Sequence, residues 1–242
     1  GDAIKHASAR LRGDKEIILA AATGEYGKWR SETVLDLAST ELQDDREVVL
    51  HCVKSRGKAI QHASARLRGD KEIILAAATG EYGKWNSDTV LNLASTELQD
   101  DREVVLHCVK NDGDAIKHAS ARLRGDKEII LAAARKWNSD TVLNLASTEL
   151  QDDREVVLEC VKNGGDAIEH ASARLRGDKE IILAAIEKGN VYIGGKRNGD
   201  TVLNLASTEL QDDREVVLHC VKSRGDAIKH ASARLRGDKE II

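Results

Sequence analysis

Proline, phenylalanine and methionine are absent from all 242 residues, and the aromatic side chains amount to three Trp and three Tyr. Such a gap over this length points to copying of one small template. Long apolar runs are also missing: Ile17 to Ala22 is among the longest, far short of the roughly 20 residues that a spanning helix needs, which argues against a membrane-spanning helix. There is no surplus of positive charge. With 37 basic and 41 acidic side chains the net charge is −4 and the pI near 6.1, which disfavours nonspecific attraction to nucleic acid. No segment keeps a two-residue alternation between turn signals, so strands are not expected. What is present is ordinary for a soluble helical protein, 41% hydrophobic and 32% charged.

The sequence repeats itself. Leu-Arg-Gly-Asp-Lys-Glu-Ile-Ile starts at Leu11, Leu67, Leu123, Leu175 and Leu235, at intervals of 56, 56, 52 and 60 residues. Within each period a second alignment superimposes Leu37 to Leu50 on His62 to Leu75, so the true unit is about 25 to 31 residues long. Self-similarity at a short fixed period is the mark of a solenoid. The chain therefore reads as an all-α solenoid of about nine stacked helical hairpins in a single repeat domain, 1–242. The units run approximately 1–29, 30–54, 55–85, 86–110, 111–135, 136–162, 163–198, 199–222 and a truncated 223–242. The opening Gly1-Asp2-Ala3-Ile4 recurs at Gly225 to Ile228, and the chain stops at Ile242, where earlier copies continue with Leu-Ala-Ala, as either a window on a longer array or a piece cut for another purpose would.

Each unit reads as two helices joined by a tight corner. Val34, Leu35, Ala38 and Leu42 recur at three- and four-residue steps and fall on one face of the first helix; Val48, Val49, Cys52 and Val53 do so in the second. At the corner, Asp44 is expected to cap the second helix with Glu47 reaching back to it, whereas the alternate units carry Gly13 and Glu16 there and have a weaker cap. One hairpin buries little apolar surface, so the hairpins must stack.

The pattern Ala-Ser-x-x-Leu-x-x-Asp-x-Glu-Val-Val-Leu, followed by Val-Lys-Asn-Gly-Gly-Asp-Ala-Ile at Val161 to Ile168, resembles short helical repeats catalogued as a domain of unknown function in algal and other microbial proteins. The resemblance covers almost the whole chain. It implies a hairpin-repeat fold and an interaction role, and it carries over no catalytic residue.

Cys52, Cys108, Cys160 and Cys220 occupy one repeat position that holds Ala21, Ala77, Ala133 and Ala185 in the alternate units. Cysteine exchanging with alanine on an apolar helix face acts as a small hydrophobe, and cysteines two hairpins apart are ~20 Å apart against the ~6 Å that a bridge spans. Reduced thiols are expected, which favours a reducing compartment inside the cell. His51, His107 and His219 precede a cysteine, but neighbouring helical residues diverge by about 100 degrees and do not converge as zinc ligands do. A second set, His6, His62, His118, His170 and His230, aligns with Leu37 and its equivalents, where a hydrogen-bonded place at the border of the core is expected. Arg10, Glu41, Arg66, Glu97, Arg122, Glu149, Arg174, Glu209 and Arg234 alternate at one position and are expected to pair into a surface ladder that fixes register. No nucleophile with its base and no Gly-rich phosphate loop can be assembled, so no catalytic, cofactor-binding or metal site is expected.

The exceptions to the repeat are the inserts. Thr23 to Trp29 is repeated at Thr79 to Trp85, shortened to Arg135-Lys136-Trp137, and replaced by Ile186 to Arg197. They hold every aromatic residue, and aromatic and Arg side chains on loops are favoured interface anchors. Tyr26, Trp29, Tyr82, Trp85, Trp137, Tyr192 and Arg197 are accordingly the candidate partner-binding residues. The expected function is a noncatalytic scaffold for protein partners, without specific nucleic-acid binding; the rival is a purely structural object, either a designed repeat protein or a peripheral subunit. End-to-end or lateral self-association, or incorporation in a large complex, belongs to that second reading.

Overall fold

A computed structural model describes residues 2–23, 31–79, 87–136, 139–188, 192–193, 196–197 and 199–241. The architecture is all-α and repetitive, and it divides into two compact units, Gly1–Leu123 and Arg124–Ile242. The longest helices each start immediately after an aspartate. In the first unit they are α1 (Lys15–Thr23), α2 (Arg46–Ser55), α3 (Lys71–Thr79) and α4 (Arg102–Asn111). In the second they are α5 (Lys127–Ala134), α6 (Arg154–Asn163), α7 (Lys179–Lys188) and α8 (Arg214–Ser223).

The caps sit one residue later than the spacing predicts. Asp45, not Asp44, holds the start of α2, accepting from the Glu47 and Val48 amides at 3.0 and 3.1 Å. Glu47 is then the second helical residue, one short of the position from which a side chain reaches back. The same shift places Asp14, not Gly13, before α1, accepting from Glu16 and Ile17 at 3.1 and 3.2 Å. Both versions of the unit are therefore capped by aspartate, and the alternate one is not the weaker.

Within each unit the long helices lie side by side in one layer: α1 on α2, α2 on α3 and α3 on α4, and likewise α5 through α8. The second layer alternates two kinds of short helix. In the first unit it runs through the α-helix Ser31–Leu37, the 3-10 helix Gly57–His62, the α-helix Ser87–Leu93 and the 3-10 helix Gly113–His118. In the second unit Ser139–Leu145, Gly165–His170, Gly199–Leu205 and Gly225–His230 take the same places. The core lies between the layers. Val48, Val49, Cys52 and Val53 of α2 and Ile73, Ile74, Ala77 and Ala78 of α3 are wholly buried against Val34, Leu35 and Ile60.

The first helix of the expected hairpin is broken in two. It ends at Leu37, Ser39 is extended at φ −63° and ψ 159°, and a one-turn helix follows at Thr40–Gln43. Val34, Leu35, Ala38 and Leu42 are all buried, so they share one surface without sharing one helix. The break leaves carbonyls unpaired at the end of the first segment, and Gln43 answers them: its Nε2 donates to the carbonyls of Leu35, Asp36 and Ala38 at 3.1, 3.3 and 3.3 Å. In a first-unit alternate corner Arg12 does a similar job, donating from Nε to the Ala7 carbonyl and from Nη2 to the Lys5 carbonyl.

The same serine also joins hairpin to hairpin. The Ser39 amide donates to the Arg12 carbonyl at 3.1 Å, Ser64 to Gln43 at 3.0 Å, Ser95 to Arg68 at 3.2 Å and Ser120 to Gln99 at 3.0 Å. In the second unit Ser147, Ser172, Ser207 and Ser232 bond to Arg124, Gln151, Arg176 and Gln211. One exception to the helical reading is a two-residue antiparallel pairing, Tyr192–Ile193 with Lys196–Arg197, inside the longest insert.

Candidate interaction surfaces

The helix-start sequence Asp-cation-Glu recurs at each long helix, and its three charges engage the neighbouring helix start. Lys15 Nζ, at the first position of α1, reaches both Asp45 and Glu47 at 2.8 Å. Arg46 passes the connection on, with Nε 2.8 Å from Asp70 and Nη2 on Glu72; Lys71 continues it to Asp101 and Glu103, each at 2.8 Å. In the second unit Lys127 joins Asp153 and Glu155, Arg154 joins Asp178 and Glu180, Lys179 joins Asp213 and Glu215, and Arg214 joins Asp238 and Glu240. The hydrogen bond to Asp45 raises the Lys15 pKa above its ordinary value. For Asp45, burial is the largest influence and pushes upward, but the Lys15 and Val48 hydrogen bonds prevail and hold it below the usual carboxylate range.

The alternating Arg and Glu do not pair with each other. Arg66 binds Asp44, through Nε at 3.0 Å and through Nη2 to the Asp44 carbonyl, and the Ser64 hydroxyl donates to the same carboxylate. Arg122 with Asp100, Arg174 with Asp152 and Arg234 with Asp212 repeat this clamp. Glu41, exposed, folds back onto its own helix start, its pKa lowered first by the Ser39 hydroxyl and then by its own amide. The aspartate of the Leu-Arg-Gly-Asp marker is occupied in the same way: the Asp70 carboxylate caps α3 and binds Arg46.

Three of the second histidine set meet carboxylates at the border of the core, whereas His6, at the first hairpin, is exposed. His62 Nδ1 lies 3.1 Å from Asp36, His118 Nε2 2.7 Å from Asp88 and His170 Nε2 2.8 Å from Asp140, all half-buried. The four cysteines are fully buried and desolvation pushes each thiol up to about 12, which keeps them protonated and unreactive at neutral pH. Among the described residues no group of three His, Cys, Asp or Glu side chains is placed to hold a metal ion.

Of the candidate partner-binding residues, Tyr26, Trp29, Tyr82, Trp85 and Trp137 lie outside the described residues. Tyr192 and Arg197 stand opposite each other on the two short strands. The inserts leave from the C-terminal ends of α1, α3, α5 and α7, which is every second long helix.

Residue-level reading overlooked the outer face of the long-helix layer. The fifth residue of each long helix is a partly exposed leucine: Leu19, Leu50, Leu75 and Leu106 in the first unit, Leu131, Leu158, Leu183 and Leu218 in the second. Equivalent positions line a depression in each unit. One, of about 410 Å3, is lined by Arg102, Glu103, Leu106, His107 and Lys110 of α4. The other, of about 550 Å3, lies along α7 between Lys179, Glu180, Leu183, Ala184 and Glu187, with Lys162 of α6. The pattern is visible in the sequence, where a leucine stands four residues after the start cation of each long helix, from Lys15 and Leu19 to Arg214 and Leu218.

The model of a family described as a domain of unknown function (DUF4116) matches residues 26–68, 45–99, 81–124, 101–151, 153–194 and 196–236. No curated protein and no solved structure matches the chain.

Proposed function

Since the chain belongs to the DUF4116 family of repeats, whose function is unknown, we propose from its own surfaces that it is a noncatalytic helical-repeat scaffold for protein partners. The observation that carries the reading is a division of labour. The repeated polar side chains are engaged within the array: Asp45 and Asp70 as caps and ion-pair partners, Asp44 on Ser64 and Arg66, Gln43 on three carbonyls. The aromatic residues, by contrast, are all in the inserts, where the copying fails. Loops that vary on a repetitive frame are where specific recognition is carried, and Trp, Tyr and Arg are the side chains that anchor it.

Tyr26, Trp29, Tyr82, Trp85, Trp137, Tyr192 and Arg197 are the proposed anchors. The test is to purify the intact protein from its source with whatever accompanies it, and to repeat the purification with Trp29→Ala, Trp85→Ala and Tyr192→Ala combined. Loss of an accompanying protein, with helicity unchanged by circular dichroism, supports the loop anchors. Full retention of that protein on the folded triple variant rejects them.

A further inference from the structure

The outer face of the long-helix layer in the first unit is an apolar stripe between two rows of opposite charge. Leu19, Leu50, Leu75 and Leu106 follow one another across α1, α2, α3 and α4, each partly exposed, with Ala20, His51, Ala76 and His107 beside them. On the side of the helix starts, each helix contributes an aspartate, one cation and a glutamate, so that edge is negative in sum: Asp14, Lys15 and Glu16, then Asp45, Arg46 and Glu47, and so on to Glu103. On the opposite side the ninth position of the four helices reads Thr23, Lys54, Thr79 and Lys110, with no carboxylate. The sign of charge therefore reverses across the leucines, and α4 adds a concavity of about 410 Å3 at the end of the stripe, between Glu103 and Lys110.

The stripe has a pitch as well as a polarity. Packed helices stand ~8 to 10 Å apart, so one leucine is presented at each such step. A polypeptide in the extended polyproline-II conformation rises ~3.1 Å per residue with three residues per turn, so the same face returns about every 9 Å. A strand laid across the helices thus offers one side chain to each leucine, and the two side chains between them project to either side. We propose that this stripe binds an extended peptide segment of another protein. Every third residue of the segment is apolar, one intervening row is acidic and faces Lys54 and Lys110, and the other is basic and faces Glu16, Glu47, Glu72 and Glu103. About ten residues span the four helices. The proposal rests on the scaffold reading only in taking the partner to be a protein.

The experiment titrates the intact 242-residue chain with a synthetic peptide of four Leu-Glu-Lys triplets and, in parallel, with a peptide of identical composition whose four leucines are consecutive. The triplet peptide is expected to bind at least about tenfold more tightly. Leu50→Glu with Leu75→Glu is expected to remove that preference at unchanged helicity, and Leu50→Ala with Leu75→Ala serves as the milder pair should the first unfold. Lys54→Glu with Lys110→Glu should weaken the triplet peptide by about tenfold with the leucines intact. Equal affinity for the two peptides, or undiminished binding by a folded leucine variant, overturns the proposal. Partner capture by a parent chain that binds neither peptide would sink the stripe and leave the scaffold reading standing; a protein that brings down no partner sinks the scaffold reading on its own.

Discussion

Asp45 serves three donors with one carboxylate: the amides of Glu47 and Val48, and the ammonium of Lys15 one helix away. Replacing it with alanine removes the cap and one rung of the ion-pair ladder together. Asp45→Ala is expected to lower stability by about 1 to 2 kcal/mol, read as a fall in the urea midpoint; Asp45→Asn, which keeps the cap acceptor, should fall by clearly less. Equal losses would show that the charge, not the cap, is what matters there. Residue types were readable at this scale, and roles were not always. Cysteine exchanging with alanine announced a small buried side chain, and Cys52 is wholly buried. The Asp44-Asp45 doublet was ambiguous because either aspartate suits a helix start, and only the position of the following amides decides between them. The partner of Arg66 was hidden for a different reason: Asp44 is 22 residues away in sequence and becomes its neighbour only once the hairpins are stacked in register.

The break at Ser39 shows how one element is assembled from two segments and a side chain. Ser-Thr-Glu-Leu continues the helical spacing of apolar residues, so periodicity carries straight through it, yet serine is a preferred cap and its extended backbone ends one helix and starts the next. Gln43 makes that break tolerable by donating to the exposed carbonyls, and Gln99 does the same with Leu91, Asn92 and Ala94. A glutamate at this position has the same length and no donor. Gln99→Glu is therefore expected to destabilise by about 1 to 3 kcal/mol at neutral pH, and to recover part of the loss in acid, where the carboxyl regains a proton to donate. A variant as stable as the parent in a neutral urea titration would mean that water serves these carbonyls equally well. The seven-residue helices and 3-10 helices of the second layer were legible only as helical segments. What distinguishes them is the short Gly-x-Ala-Ile turn, and apolar spacing does not separate an α-helix from a 3-10 helix over six residues.

For the molecule as a whole the caps and clamps act in concert with pH. Asp44, Asp45, Asp70, Asp100, Asp101, Asp152, Asp153, Asp178, Asp212 and Asp213 all titrate below the ordinary 3.8 in the folded state. The folded chain then binds fewer protons than the unfolded one near that pH, so their contribution is whole above the ordinary value and is lost as pH falls through the lowered ones. Lys15, Lys71, Lys127 and Lys179 are raised above 10.5, and theirs is whole below that value and is lost as pH climbs through the raised ones. Melting temperature against pH should form a plateau from about 5 to 9 with a fall at each end. A decline beginning between pH 7 and 5 would point instead to His107, whose pKa burial lowers, so that the unfolded chain takes up its proton first.

The serine amide that bonds to the preceding corner carries a consequence for how such a chain grows. Each corner offers one carbonyl and each following serine one amide, and the Arg-bearing corner meets a carboxylate such as Asp44 only when the two versions alternate. Duplicating a pair of hairpins thus yields two junctions already satisfied, whereas duplicating a single hairpin sets a glycine such as Gly13 where an arginine seeks its aspartate. The pair is thus the smallest increment by which such an array can lengthen or shorten without requiring a new interface.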